Sequence, residues 1–177
     1  MRELKMALLS FVIVSIVFFP LRFISVTYFP KETTSVASSV SNQKTPPQPT
    51  DEEVAYVKIM SSHVSGIFDT AQELEFIMEN TPEDLSSIQQ TLNDLLSKSD
   101  PAPLFELSVP SDFQKSHDDY LNAALMLSTV CMDMIRGMEY DNATLIEESA
   151  TQYNSSIRTI DDYFKEVIHP IEQATNR

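Results

Sequence analysis

The chain has 177 residues, a net charge of −14, two glycines, no tryptophan and a single cysteine. So few glycines leave few tight turns, which excludes a hairpin-built sandwich or barrel and points to helices with short links. The acidity is concentrated from Asp51 onward, where 24 acidic residues oppose seven basic ones for a charge of −17; such a surface repels phosphate backbones and anionic lipid, and excludes nucleic acid as a partner.

Residues 1–30 read as an N-terminal signal anchor or transmembrane segment. Arg2 and Lys5 precede an uncharged run from Met6 to Leu21. As a helix this run spans about 24 Å at 1.5 Å per residue, against a hydrocarbon core of ~30 Å. Apolar residues resume after Arg22 with Phe23, Ile24, Val26, Tyr28 and Phe29. Arg22 can snorkel, and the two aromatics suit the headgroup level. Ser35-Val36-Ala37 has the form of a signal-cleavage site but lies well downstream. An uncleaved anchor is the favoured expectation and a cleaved, secreted chain the alternative. The basic N-terminus sets the expected topology, a single pass through the cell membrane with the bulk of the chain extracytoplasmic, while a cytosolic domain is the other orientation.

Residues 31–50 form a Ser/Thr/Pro-rich linker ending Pro46-Pro47-Gln48-Pro49. It has no apolar periodicity, so a disordered, partly polyproline spacer is expected. Residues 51–177 then carry four helical patterns. Thr50 with Glu53 forms a capping box before a seam of Val57, Met60, Val64, Ile67, Ala71, Leu74 and Met78. Thr81 is the expected cap of a short second helix, with Pro82 at its first position and a seam of Leu85, Ile88, Leu92 and Leu95. Pro101 and Pro103 break the chain, and Leu104, Phe105, Leu107 and Val109 are expected to plug one end of the core.

Ser111 with Gln114 is the expected cap of the third helix, whose seam is Phe113, His117, Tyr120, Ala124, Leu127, Cys131, Met134 and Met138. The fourth starts at Asp141 or Asn142, and its seam is Ile146, Ala150, Tyr153, Ile157, Ile160, Phe164, Val167 and Ile171. Pro170 is expected to end or kink it. The fold class is therefore all-α: an antiparallel four-helix bundle with a short second helix, preceded by the anchor and linker.

Candidate chemistry is sparse. Glu166-Val167-Ile168-His169 is one Glu-x-x-His motif, whereas a di-iron bundle needs two. There is no His-Glu-x-x-His, phosphate-binding glycine loop or Gly-x-Ser-x-Gly elbow. No catalytic residue, metal ligand or cofactor is assigned. His117 on the apolar seam reads as a histidine hydrogen-bonded inside the bundle, with pH sensing as its functional alternative. Cys131 reads as a small buried hydrophobe. Met134 and Met138, with Met126 and Met132, are core filler, copper(I) ligands or an adaptable apolar groove. Asn142-Ala143-Thr144 and Asn154-Ser155-Ser156 fit the glycosylation pattern, which has meaning only in a eukaryotic secretory context.

The stretch Val109-Pro110-Ser111-Asp112-Phe113, followed by His117 and Tyr120-Leu121, resembles the start of a bundle helix in small exported proteins of Gram-positive bacteria. In layout, too, the chain is similar to such proteins: an anchor, a polar linker and a helical domain of unknown function. The resemblance implies an envelope location and supplies no functional residues. The expected function is a non-enzymatic interaction or binding module, tethered by its N-terminal segment and partnered by another envelope protein. A ligand or stress sensor acting through a partner is the alternative.

Overall fold

The computed structural model describes residues 48–175, and every regular element among them is helical. Helix α1 spans Asp51–Asn80, α2 Leu85–Lys98, α3 Gln114–Glu139 and α4 Ala143–Tyr163. A π-helical turn, Phe164–Ile168, joins α4 to a terminal helix α5, His169–Thr175. The expected anchor (1–30) and most of the expected linker lie outside the described residues. Among the described residues, no helix is long and apolar enough to cross a membrane.

Four helices pack as a bundle. Gln89 of α2 reaches Glu139 of α3 while Ser99 reaches Ser128, so these two helices run in opposite directions. Tyr56 and His63 of α1 meet His117 and Tyr120 of α3 in the same order, so α1 and α3 run together. The domain thus has a proximal end, where the chain enters α1 at Asp51, and a distal end made by the turns at 81–84 and 140–142. At 14 residues, α2 is the shortest of the four, the others having 30, 26 and 21.

Seam spacing explains the core. All seven residues expected on α1 are buried, as are Ile88, Leu92 and Leu95 of α2 and most of the α3 and α4 sets. The members nearest the helix ends, Leu85, Phe113, Met138, Phe164 and Ile171, are only partly buried. Thr50 and Glu53 form the expected capping box, with the Glu53 backbone N–H donating to Thr50 Oγ1 at 3.2 Å and the Thr50 N–H to the Glu53 carboxylate at 2.6 Å.

Local hydrogen bonding corrects three boundaries. Thr81 does not start α2, because its hydroxyl and its N–H are both spent on the Ile77 carbonyl at the end of α1. Asp84 caps α2 instead, accepting from both the N–H and the hydroxyl of Ser87. Ser111 caps nothing: residues Ser111–Phe113 form a 3₁₀ turn, and the Ser111 hydroxyl bonds to Asp112. Pro170 does not end the last helix, which continues to Thr175. Proline has no N–H and crowds the carbonyl four residues back, and the π turn widens the coil just before it, with the His169 N–H reaching Phe164 O. In the crossover, Leu104 is buried and Leu107 and Val109 pack against the core, but Phe105 stands 60 % exposed.

The α3–α4 link is tight. Asp141 adopts a left-handed φ of 51°. The Asn142 N–H then reaches Gly137 O and the Asp141 N–H reaches Met138 O, the Schellman closure of a helix end. Asn142 goes on to cap α4 by accepting from the Leu145 N–H.

Candidate functional site

The proximal end holds a cluster of titratable side chains inside the bundle. Tyr56 and His63 lie seven residues apart on α1, two helical turns, and so share a face. His117 and Tyr120 share a face of α3 in the same way, and Tyr163 enters from the last turn of α4. Tyr56, His117, Tyr120 and Tyr163 are buried. The Tyr56 hydroxyl lies 2.9 Å from His117 Nδ1 and 2.6 Å from the Tyr163 hydroxyl. His63 Nδ1 meets the Tyr120 hydroxyl, and His63 Nε2 meets the backbone carbonyl of Asp100 at 3.2 Å. The Tyr120 and Tyr163 rings, 4.7 Å apart, join the two groups.

The partners fix where the protons are. A carbonyl only accepts, so His63 Nε2 carries the hydrogen. Nδ1 of the neutral ring is then an acceptor, and the Tyr120 hydroxyl donates to it. Burial lowers the affinity of both histidines for a further proton, partly offset by Asp100 at His63 and Asp118 at His117. With His117 neutral and accepting at Nδ1, the second chain runs from Tyr163 to Tyr56 to His117. Burial also pushes the three tyrosines up, so they stay protonated donors rather than phenolate bases. The cluster is two chains of hydrogen bonds, joined by the Tyr120–Tyr163 ring contact, across three helices and the crossover.

A second titratable group lies toward the distal end. Glu75 is partly buried on α1, near enough for its charge to act on the hydroxyl of buried Tyr153 of α4. Burial, and then repulsion from Glu79 one turn on, push its carboxyl up to about 7. Its buried Oε1 accepts no hydrogen bond.

The four residues singled out by sequence do not assemble into one site. His117 joins the proximal network. Cys131 is 14 residues further along α3, about 21 Å by helical rise, and is fully buried, with its thiol pushed up to about 12. Met134 is core and Met138 is partly buried beside it. Met126 and Met132 are exposed, so the methionines of α3 do not converge. Glu166 and His169 are both exposed, and His169 pairs with Gln173. Among the described residues, no group of three or more His, Cys, Asp or Glu side chains is placed to hold a metal ion. Asn142 is exposed, whereas Asn154 is half-buried and Ser156 is buried.

Tyr56, His63, Tyr163 and Glu75 escape sequence reasoning. Tyr56 and His63 each stand one position before a seam residue, and their seven-residue spacing is the one signal that marks them as a pair. An open groove of about 310 Å³ runs beside this end, lined by Val54, Val57, Lys58, Ser61, Ile171, Glu172 and Thr175, and is bridged by the Ser61 hydroxyl donating to Glu172 at 2.7 Å. In comparisons with protein-family models, curated proteins and solved structures, nothing matches the chain.

Proposed function

We propose that the protein is a membrane-tethered, extracytoplasmic helical-bundle module that binds another protein of the cell envelope and catalyses no reaction. The N-terminal segment holds it to the membrane in a single pass, the Pro-containing linker lifts the antiparallel bundle away, and the domain presents its acidic surface to a partner. The observation that supports this reading best is the way the domain uses its side chains. The buried histidine and tyrosine groups of the proximal end bond to one another, while Phe76, Phe105, Leu125, Met126 and Tyr140 stand outside, each at least 45 % exposed. In-cell crosslinking followed by recovery from membranes in mild detergent tests it. A single protein recovered reproducibly is the expected result; repeated recovery of none, together with a robust enzymatic activity, refutes it. Protease treatment of intact cells tests the orientation, since a domain protected until lysis overturns it.

A second reading, a sensor acting through a partner, draws on the proximal cluster. His63 and His117 bridge α1 to α3 next to the tether, and a change in their protonation would be felt where the domain meets the linker.

A further inference from the structure

The basic residues of the domain are unevenly placed along its axis, whereas the carboxylates are spread over both ends, ten in the short distal segments and fourteen elsewhere from Asp51 onward. Residues 73–84 and 133–148, which build the distal end, carry ten carboxylates and one basic residue, Arg136. Arg136 is itself engaged by Asp133 at 3.4 Å. The other basic side chains among the described residues, Lys58, Lys98, Lys115, Arg158 and Lys165, belong to the proximal half. Among the described residues, the two most exposed large hydrophobic side chains also lie at the distal end: Phe76 on the last turns of α1, 64 % exposed, and Tyr140 in the α3–α4 turn, 79 % exposed. Beside Phe76, the Glu75 carboxylate keeps one buried oxygen with no donor.

Exposed aromatics inside a field of uncompensated carboxylates define a partner by complementarity. The carboxylates repel one another, and a cation brought among them relieves that repulsion. The aromatic rings offer apolar area and a face for a guanidinium or ammonium group. We propose that the distal end of the bundle is the docking surface for a cationic segment of a partner protein, one that presents Lys or Arg around an apolar anchor. This rests on reading the domain as an interaction module. Anionic lipid and nucleic acid are repelled, and so is a second copy presenting the same end. The surface points away from the end where the linker joins α1, which leaves it open to a partner in the envelope.

The test uses the full chain in detergent micelles and two labelled synthetic peptides of equal charge, one of Lys and Leu in helical spacing and one of Lys and Ser. Binding is read by fluorescence anisotropy at low and at physiological salt. Glu73→Lys with Glu79→Lys reverses charge at the distal end, and Asp112→Lys with Asp162→Lys makes the same change at the proximal end. All four carboxylates are exposed, and a thermal melt confirms that each variant folds. The Lys/Leu peptide is expected to bind about tenfold more weakly to the distal variant and to change less than about twofold on the proximal one. Phe76→Ser with Tyr140→Ser is expected to abolish the preference for Leu over Ser. Equal weakening by both charge reversals overturns the proposal, because attraction is then diffuse, yet it leaves the interaction reading standing. Absence of binding, or competition by calcium alone that depends on Glu73 and Glu79, also overturns it, the latter making the end a cation site.

Discussion

The hydroxyls of Tyr56 and Tyr163 lie 2.6 Å apart although 107 positions separate them in the chain. Their bond closes α1 against the end of α4, and the same Tyr56 hydroxyl serves His117 on α3. Removing that oxygen strips a partner from two buried groups at once. Tyr56→Phe is therefore expected to cost about 2–3 kcal/mol, more than one ordinary hydrogen bond, while Tyr163→Phe, at the end of the chain of donors, costs about 1 kcal/mol. Urea denaturation of both variants and the double variant measures the two losses; equal losses would show that Tyr56 does not bridge.

The stability of the domain is expected to depend on pH through two opposed effects. His63 and His117 have their affinities for protons lowered by folding from the usual 6.5. Their contribution is complete above that value and is lost as the pH falls through it toward their folded values. A proton added at Nδ1 of either ring would meet a tyrosine hydroxyl already donating to it. Glu75 has the opposite sign. Folding raises it from 4.5 to about 7, so its contribution is complete below 4.5 and is lost as the pH rises to 7. Melting temperature followed across this range should show a steeper acid limb in Glu75→Gln and a flatter one in His63→Gln with His117→Gln. Above pH 7, Glu75→Gln is expected to be the more stable protein by about 1 kcal/mol, the carboxylate being partly screened by water.

The two glycines make opposite predictions. A methyl group added at Gly137 would sit 2.6 Å from Ile146 Cγ1 and 3.2 Å from the Asn142 carbonyl. Gly137→Ala must push α4 away and is expected to destabilise by about 1–3 kcal/mol. At Gly66 the nearest atom is the flexible Lys98 Cδ at 3.5 Å, an ordinary contact. Gly66→Ala is expected to stabilise by about 0.5–1 kcal/mol, because alanine is the better helix former. Thermal or chemical unfolding of both variants decides; the same sign for both would contradict the packing described.

Cys131 should be chemically silent in the folded domain. It is fully buried, and burial pushes its thiol up to about 12, so little thiolate exists at neutral pH and none is accessible. Alkylation by iodoacetamide is expected to be undetectable in native buffer and complete in denaturant. Rapid native labelling would mean that the core opens locally around α3.

Much of this architecture is legible in the sequence, because the seams of α1, α3 and α4 repeat at three- and four-residue spacing and such a stripe has one stable fate. Thr50 and Asn142 are legible as caps for the same local reason. Asp84 is not, since Thr81 looks equally able to cap until its hydroxyl is seen bonded to Ile77. The proximal cluster is the least legible part. His117 could be placed inside the bundle, but its partner Tyr56 lies 61 positions away, and nothing local distinguishes a tyrosine that bonds across helices from one that merely packs. Glu75 looks like a surface carboxylate beside Leu74, and its partial burial is set by tertiary packing that no local pattern announces.

The wide turn at Phe164–Ile168 also decides which neighbour the terminal helix meets. Each residue advances an α-helix by about 100°, so one extra residue in a turn rotates everything after it. Here the widened coil turns two consecutive side chains, Val167 and Ile168, into the core and brings Glu172 round to the Ser61 hydroxyl of α1. A chain one residue shorter at this place would present another face, and Glu172 would leave Ser61. The last helix is keyed to the first by count, and the wide turn just before Pro170 sets the register in which the bundle closes.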